Sequence, residues 1–272
     1  MAINPYKNID KIFNVADKYK PSGEVFPIGF SQFDSVMDRG VREGELVVIS
    51  SPTSMGKTTY CQQLTMNFDK IKVPSLWFTY EMNPWYLKEK FVSMGATKEL
   101  LGYSPIEYFT IDDQLTFIKH QIEKAEEYAC KIIFIDHLHY LIPLKESMNS
   151  SLLIGGVVRE LKKTAIKFNV VVFLMAHTKK IYQEEELDLS SIRDSGIISC
   201  EADYVFLLER LKEKQNKEFG EVKNIYTNKT RITLAKNRRT GQCISVDCEF
   251  QDNKFVPITK IYGDNPTDIF SN

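Results

Sequence analysis

The sequence predicts an α/β protein built on a mostly parallel sheet, and three observations carry that reading. Short apolar runs that read as buried strands alternate with segments of helical period. Several of these runs close on a single polar residue: Glu81 after Ser75–Tyr80, Asp136 after Lys131–Ile135, and His177 after Val170–Ala176. Strands buried on both faces read as continuous apolar runs, and ligands bind beyond their carboxyl ends. One run, Leu46–Ile49, passes at once into a small-residue loop and a helix start, an arrangement that binds anions.

At 272 residues with 43% hydrophobic side chains, the chain can bury a real core as one large α/β domain or two small ones. A formal charge of −1 gives no global pull toward nucleic acid, so such a partner must be held by local basic patches. No apolar run approaches the ~18 residues that span a bilayer, and no membrane partner is expected. Met1-Ala2-Ile3-Asn4-Pro5 lacks the basic and apolar regions of a signal peptide. The five cysteines show no C-x-x-C spacing, which fits small-hydrophobe roles in a reducing cytosol.

In chain order, residues 1–20 are polar apart from Ile9, Ile12, Phe13 and Val15. They fit a linker with a short docking helix, set off by Pro21-Ser22-Gly23 from a main domain over residues 21–262. Residues 263–272 read as a loose tail. Phe33, Val36 and Met37 lie on a short helical face within Phe30–Val41, and Gly44 breaks the chain before the first buried strand. Lys57–Asn67 follows as a helix, then the strand Ser75–Tyr80. Asn83 caps the next helix, with Pro84 at its first position. Ile106–Ile111 is expected as a strand and Asp113–Ala129 as a helix with Phe117, Ile118 and Ile122 on one face. The strand ending at Asp136, a helix over Leu152–Phe168 and the strand Val170–Ala176 come next. Arg193-Asp194-Ser195-Gly196 reads as a turn, and a fifth buried strand begins at Asp203–Leu208. Lys212–Lys229 is charged and poor in apolar residues, which predicts a mobile surface loop. Arg231–Lys236, Cys243–Phe250 and Lys254–Pro257 read as a closing antiparallel meander.

The loop Ser51-Pro52-Thr53-Ser54-Met55-Gly56-Lys57-Thr58-Thr59 carries the first chemistry. Backbone N–H groups converge there, and the helix dipole adds positive potential. Gly56 lets the backbone approach a phosphate, Lys57 reaches the β/γ-phosphates, and the Thr58 hydroxyl binds Mg²⁺. Ser54, Met55 and Thr59 complete the loop. Ser51 stands where the usual P-loop pattern has its first glycine. A nucleoside triphosphate is the expected ligand. Asp136, closing four apolar residues, fits a Walker B acid that holds Mg²⁺. His137 and His139 flank Leu138 and could share a face as a metal pair. With no further Cys or His cluster nearby in sequence, that reading is set below the Walker B one.

Taken in order, five blocks resemble the C-terminal motor domain of the DnaB family of replicative helicases, a branch of the RecA-like ATPases. Ser54-Met55-Gly56-Lys57-Thr58-Thr59 looks like the family's S-M-G-K-T-T, which also lacks the first glycine. Phe78-Thr79-Tyr80-Glu81-Met82 is similar to F-S-L-E-M, and Ile135-Asp136-His137-Leu138-His139 to I-D-Y-L-Q. Ile192-Arg193-Asp194-Ser195-Gly196 with Ala202-Asp203 resembles L-R-E-S-G and A-D, and Lys236-Asn237-Arg238 resembles K-Q-R. The likeness runs from about Ile28 to Phe250.

The resemblance implies a RecA-like P-loop NTPase core with an antiparallel C-terminal edge. It implies ATP and Mg²⁺ as cofactors, with Glu81 the general base for water. It implies Arg193, Ser195 and Gly196 on a DNA-facing loop, and Lys236 and Arg238 reaching into the neighbouring subunit's ATP site. His177 occupies the position at which the family places a Gln that senses the γ-phosphate. The turn after Arg238 is shorter than the family's. Residues 1–20 hold no counterpart of the family's primase-interacting N-terminal domain, so a compact phage or plasmid helicase, or a relative without unwinding, is expected.

The implied partners are single-stranded DNA, further copies of the chain in a ring (hexameric in the family), and a loader or primase, in the cytoplasm of a bacterial or phage-infected cell. Two other readings fit the same features: a RecA/RadA- or KaiC-like DNA-dependent ATPase without unwinding, and a module that binds ATP only to hold a ring. Arg231, Lys236, Arg238 and Arg239 also lie close enough in sequence to form a basic cluster for DNA phosphates.

Overall fold

The computed structural model describes residues 20–96, 101–103, 111–142, 150–179, 187–192, 195–216 and 222–263. The linker and docking helix expected before residue 20, Arg193, and the tail from residue 264 lie outside them.

Two short strands, β1 (Val25–Phe26) and β2 (Val41–Arg42), pair antiparallel on either side of helix α1 (Ser31–Val36). Asp34 fixes the turn into α1, accepting from the backbone N–H groups of Ile28 and Gly29 at 2.8 and 3.1 Å. Gly40 brings the strands together. Its φ is +136°, and a Cβ there would lie 2.3 Å from the Phe26 carbonyl oxygen.

The main sheet holds β3 (Leu46–Ser51), β4 (Ser75–Thr79), β5 (Leu101–Tyr103), β6 (Ile132–Asp136), β7 (Val171–His177), β8 (Tyr204–Asn216), β9 (Val222–Asn237), β10 (Ile244–Gln251) and β11 (Lys254–Gly263). Their spatial order is β11-β10-β9-β8-β3-β7-β6-β4-β5. From β8 through β5 every pairing is parallel, and from β8 to β11 every pairing is antiparallel. Helices α2 (Lys57–Lys70), α3 (Pro84–Ser93), α4 (Ile111–Ala125), α5 (Ser150–Phe168) and α6 (Ser195–Glu201) make the connections.

The two-residue period of a strand splits the core into two layers. Val47 and Ile49 of β3 face one side with Tyr60, Leu64 and Phe68 of α2. Leu46 and Val48 face the other with Ile118 and Ile122 of α4 and Val158 and Leu161 of α5. Trp77, Phe134 and Phe173 stack across three neighbouring strands, with ring centroids 4.8 Å apart at each step. Among the described residues, no helix is long and apolar enough to cross a membrane.

Parallel strands point their carboxyl ends at one edge, and that edge builds the site. Ser51 registers with His177, and Thr79 with Asp136.

Two expectations are corrected. The described residues of Lys212–Lys229 are not loop: β8 runs to Asn216 and β9 begins at Val222, pairing Lys212 with Tyr226 and Asn216 with Val222. The last β10 partner of β9 is Lys229, so the ribbon projects past the sheet and Lys212, Glu213, Ile225 and Tyr226 stay exposed. With these side chains exposed, no apolar alternation marks this part of the strands in the sequence. The strand expected over Ile106–Ile111 lies outside the described residues except for Ile111, which begins α4, and a short strand, β5, stands at Leu101–Tyr103. Ser195 and Gly196 are the opening residues of α6, not part of a turn.

Candidate active site

Ser54 and Gly56 both take positive φ, +65° and +93°, and so turn the loop after β3 back over the start of α2. A Cβ on Gly56 would lie 2.9 Å from the Phe255 ring, so glycine is required for space as well as for conformation. Ser54, Gly56, Lys57, Thr58 and Thr59 line a cleft of about 410 Å³ together with Glu81, Asp136 and His177. Met55 is half-buried and does not line it.

Lys57 is buried, and its Nζ donates to the Ala176 carbonyl at 3.2 Å and stands 3.0 Å from Nδ1 of His177. Burial lowers the Lys57 pKa, against the opposing charges of Asp136 and Glu81. The Thr58 hydroxyl donates to Oδ2 of Asp136 at 3.0 Å. Burial pushes the Asp136 carboxyl up to about 6, although Thr58 and Lys57 both favour its charged form. Its Oδ1 is buried without a hydrogen-bond partner among the described residues. A hydroxyl and an unsatisfied carboxylate oxygen are hard oxygen donors side by side, and they fit Mg²⁺.

Glu81 sits just past β4 with its side chain 41% exposed, and its Oε2 lies 3.3 Å from Nε2 of His137. Sequence reasoning missed this contact. His137 is buried, and its Nδ1 accepts from the His139 backbone N–H at 3.2 Å. That leaves Nε2 as the protonated nitrogen, aimed at Glu81. Burial, with His177 and Lys57 adding to it, drives the His137 pKa down to about 2 and keeps the ring neutral. The available signal was the position of His137 directly after the Walker B acid.

Lys236 and Arg238 lie elsewhere. They end β9, where Lys236 pairs with Val205 and Asn237 with Tyr204 at the start of β8. Arg238 bonds Asp203 Oδ1 at 3.1 Å and the Cys200 carbonyl at 2.6 Å, with its side chain 50% exposed. Lys236 donates to the carbonyls of Ser199 and Cys200 at the end of α6. Asp203 donates its backbone N–H to Leu46, the first residue of β3. The six residues of β3 therefore separate Arg238 from its own P-loop, a span of roughly 16–20 Å. The basic cluster read from the sequence is dispersed. Arg231 pairs with Asp247 at 2.8 Å, and Arg239 clamps the carbonyls of Met37 and Gly40 and the carboxylate of Glu45.

A P-loop after the first strand of a parallel sheet, with a carboxylate beside its threonine and a second acid across the cleft, places the chain among the P-loop proteins. The DnaB-like helicase C-terminal domain family matches residues 105–256, more than half of the chain, and the chain belongs to that family. The matched stretch contains Asp136, His177, Lys236 and Arg238 and begins after Lys57 and Glu81, whose assignment rests on the cleft. The chain is 27% identical over 271 residues to a "Probable replicative DNA helicase" of Trieres chinensis, an alignment covering 87% of this chain and 58% of that one. It thus spans a little over half the length of that curated relative. The solved ATPase domain of G40P superposes with a TM-score of 0.69 at 19% identity, covering 95% of this chain and all of that one. A structure of a DnaB-like replicative helicase and its interactions with primase gives 0.68 at 19% identity, covering 94% of this chain and 67% of that one. The fold is that of these RecA-like helicase ATPase domains. Membership of the family implies use of a nucleotide and Mg²⁺ in general, and it does not favour the RecA/RadA or KaiC alternative.

Proposed function

We propose that this chain is the ATP-hydrolysing motor of a DnaB-like ring helicase, translocating on single-stranded DNA to unwind duplex during replication. The observation that carries the proposal is the division of the machinery between the two ends of one sheet. Lys57, Thr58, Glu81, Asp136 and His177 share a cleft at the carboxyl ends, while Arg238 is exposed at the opposite end, a strand's length away. A site split in this way is completed by a neighbouring copy, and repeating that contact head to tail closes a ring; six copies are the family's number.

The reaction is in-line attack of water on the γ-phosphorus of ATP, breaking its bond to the β–γ bridging oxygen and releasing ADP and phosphate. Thr58 and Asp136 would hold Mg²⁺, which would supply charge neutralisation on the phosphates. Lys57 leaves its protein acceptors for the phosphates. Glu81, oriented by the Nε2–H of His137, positions the water and takes its proton. His177, next to Lys57, is suited to donate to the γ-phosphate. Arg238 and Lys236 of an adjacent copy add cationic charge beside Lys57, worth on the order of 10³-fold or more in rate for such fingers. Arg193, with the backbone at Ser195 and Gly196, is assigned to DNA phosphates without sequence preference. A loader or primase is the further partner proposed, in keeping with the primase interactions described for a DnaB-like relative.

The test is strand displacement on a forked duplex. ATP with Mg²⁺ should drive it, and Lys57→Ala should abolish it. DNA-stimulated ATPase with no displacement would replace this reading with a translocase that does not unwind.

A further inference from the structure

Three of the chain's four histidines gather beside the cleft. The rings of His137 and His177 are centred 4.1 Å apart, and His139 lies 5.5 Å from the first and 5.8 Å from the second. Glu81 joins them. Glu81, His137 and His177 each offer one ligand atom, and these atoms all lie within 4.8 Å of one another. The three residues stand at the carboxyl ends of β4, β6 and β7, which are consecutive in the sheet. Their backbones are therefore fixed relative to one another by the ladder.

Two imidazoles and a carboxylate form a borderline-soft donor set. It suits Zn²⁺ and its d-block neighbours, whereas Mg²⁺ prefers oxygen ligands and keeps its own waters. We propose that Glu81, His137 and His177 form a transition-metal site, for which Zn²⁺ is the best-fitting ion, distinct in its donors from the Thr58–Asp136 pair. Occupancy ties up the Glu81 carboxylate and so brakes hydrolysis.

His137 carries its proton on Nε2 here, so ligation through that nitrogen requires the proton to move to Nδ1 and the His139 N–H bond to be released, a cost that metal binding must offset. Ligand atoms around a tetrahedral Zn²⁺ with Zn–N near 2.1 Å sit about 3.4 Å apart. The widest separation in the triad must therefore close by up to ~1.4 Å, while Glu81 and His137, 3.3 Å apart, already stand at ligand spacing. Lys57, 3.0 Å from His177, opposes a cation there. The carboxylates of Asp136 and Glu81 line the same cleft and offset it. The metal site stands independently of the helicase reading; only the brake rests on it.

The experiment is titration of the full chain with Co²⁺ in the presence of Mg²⁺ and without nucleotide. Visible d–d bands of a low-coordinate Co²⁺ should grow to one ion per chain and vanish on adding Zn²⁺. His137→Gln and His177→Gln should each weaken apparent affinity by more than ~10-fold, since even outer-shell partners act on that scale. His120→Gln, an exposed position on α4, should leave it unchanged. Circular dichroism checks folding, and Glu81→Gln is the fallback where a histidine variant fails to fold. Absence of the bands, or equal binding by the wild type and all folded site variants, overturns the site. The brake is read separately: micromolar Zn²⁺ should inhibit ATPase, and a chelator should restore it. Metal binding without inhibition overturns the brake alone. A chain without ATPase overturns the motor reading and with it the brake, while the Co²⁺ spectrum still decides the metal site.

Discussion

The Lys57 ammonium stands 3.0 Å from Nδ1 of His177 and 3.2 Å from the Ala176 carbonyl, so the P-loop lysine rests on the end of β7. Glu81 lies across the cleft and bonds to His137. The two residues should therefore fail in different ways. Lys57→Ala should weaken ATP binding as well as turnover. Glu81→Gln should bind ATP as the wild type does and lose turnover by about 10²- to 10⁴-fold, the range of a general base. Fluorescent-nucleotide titration beside steady-state ATPase separates them. Equal loss of affinity in both would remove Glu81 from its role.

The distance between Arg238 and its own P-loop predicts complementation. Arg238→Ala and Lys57→Ala subunits should each be nearly inactive. Mixed, some interfaces pair an intact P-loop with an intact Arg238, and part of the ATPase should return. Rescue at no mixing ratio, with subunit exchange verified by ultracentrifugation, would argue for service in cis. Full activity of Arg238→Ala alone would make the residue a structural partner of Asp203.

For DNA, Arg193→Ala is expected to weaken single-stranded binding for every sequence and to lower the slope of log K against log salt by about one. Basal ATPase should survive while stimulation by DNA falls. An unchanged slope in filter-binding titrations would place the contact elsewhere.

Asp34 gives a pH signature outside the cleft. Burial pushes its carboxyl from the ordinary 3.8 up to about 6, against the bonds from Ile28 and Gly29. Between those values the folded chain binds more proton than the unfolded one, so this contribution is full below about pH 4 and is lost as pH rises toward 6. Asn at this position does not titrate. The melting temperature of Asp34→Asn should therefore gain on the wild type between pH 4 and pH 7, and a constant difference would contradict the assignment.

What the sequence revealed followed burial. β3, β4, β6 and β7 are covered on both faces, and each appears as an apolar run closed by the residue that acts: Lys57 after its loop, Glu81, Asp136 and His177. The outer half of the β8–β9 ribbon was invisible because side chains such as Lys212 and Glu213 are exposed and charged, and the cross-strand contacts the ribbon makes, such as Lys212 over the Tyr226 ring, leave no apolar alternation in the sequence. The Glu81–His137 bond was hidden for another reason. No spacing rule joins residues on separate strands, and only the sheet order brings their ends together. The same holds for His177, whose absence from the neighbourhood in sequence led the metal reading of His137 to be set aside.

Phe255 belongs to the outermost strand of the sheet, yet its ring packs 6.0 Å from Tyr60 and blocks the space beside Gly56. Its backbone exchanges two bonds with Gln63, at 2.7 and 3.0 Å, across 192 positions of sequence. The consequence concerns where such a chain can be cut. A fragment ending at Gln251 would retain every signature by which the ATPase is recognised, yet it would lose the floor of the phosphate loop and both pins on the helix behind it. The smallest piece that can hold a nucleotide is thus set by an aromatic ring with no signature of its own, and truncations planned on motifs alone would stop a few residues short.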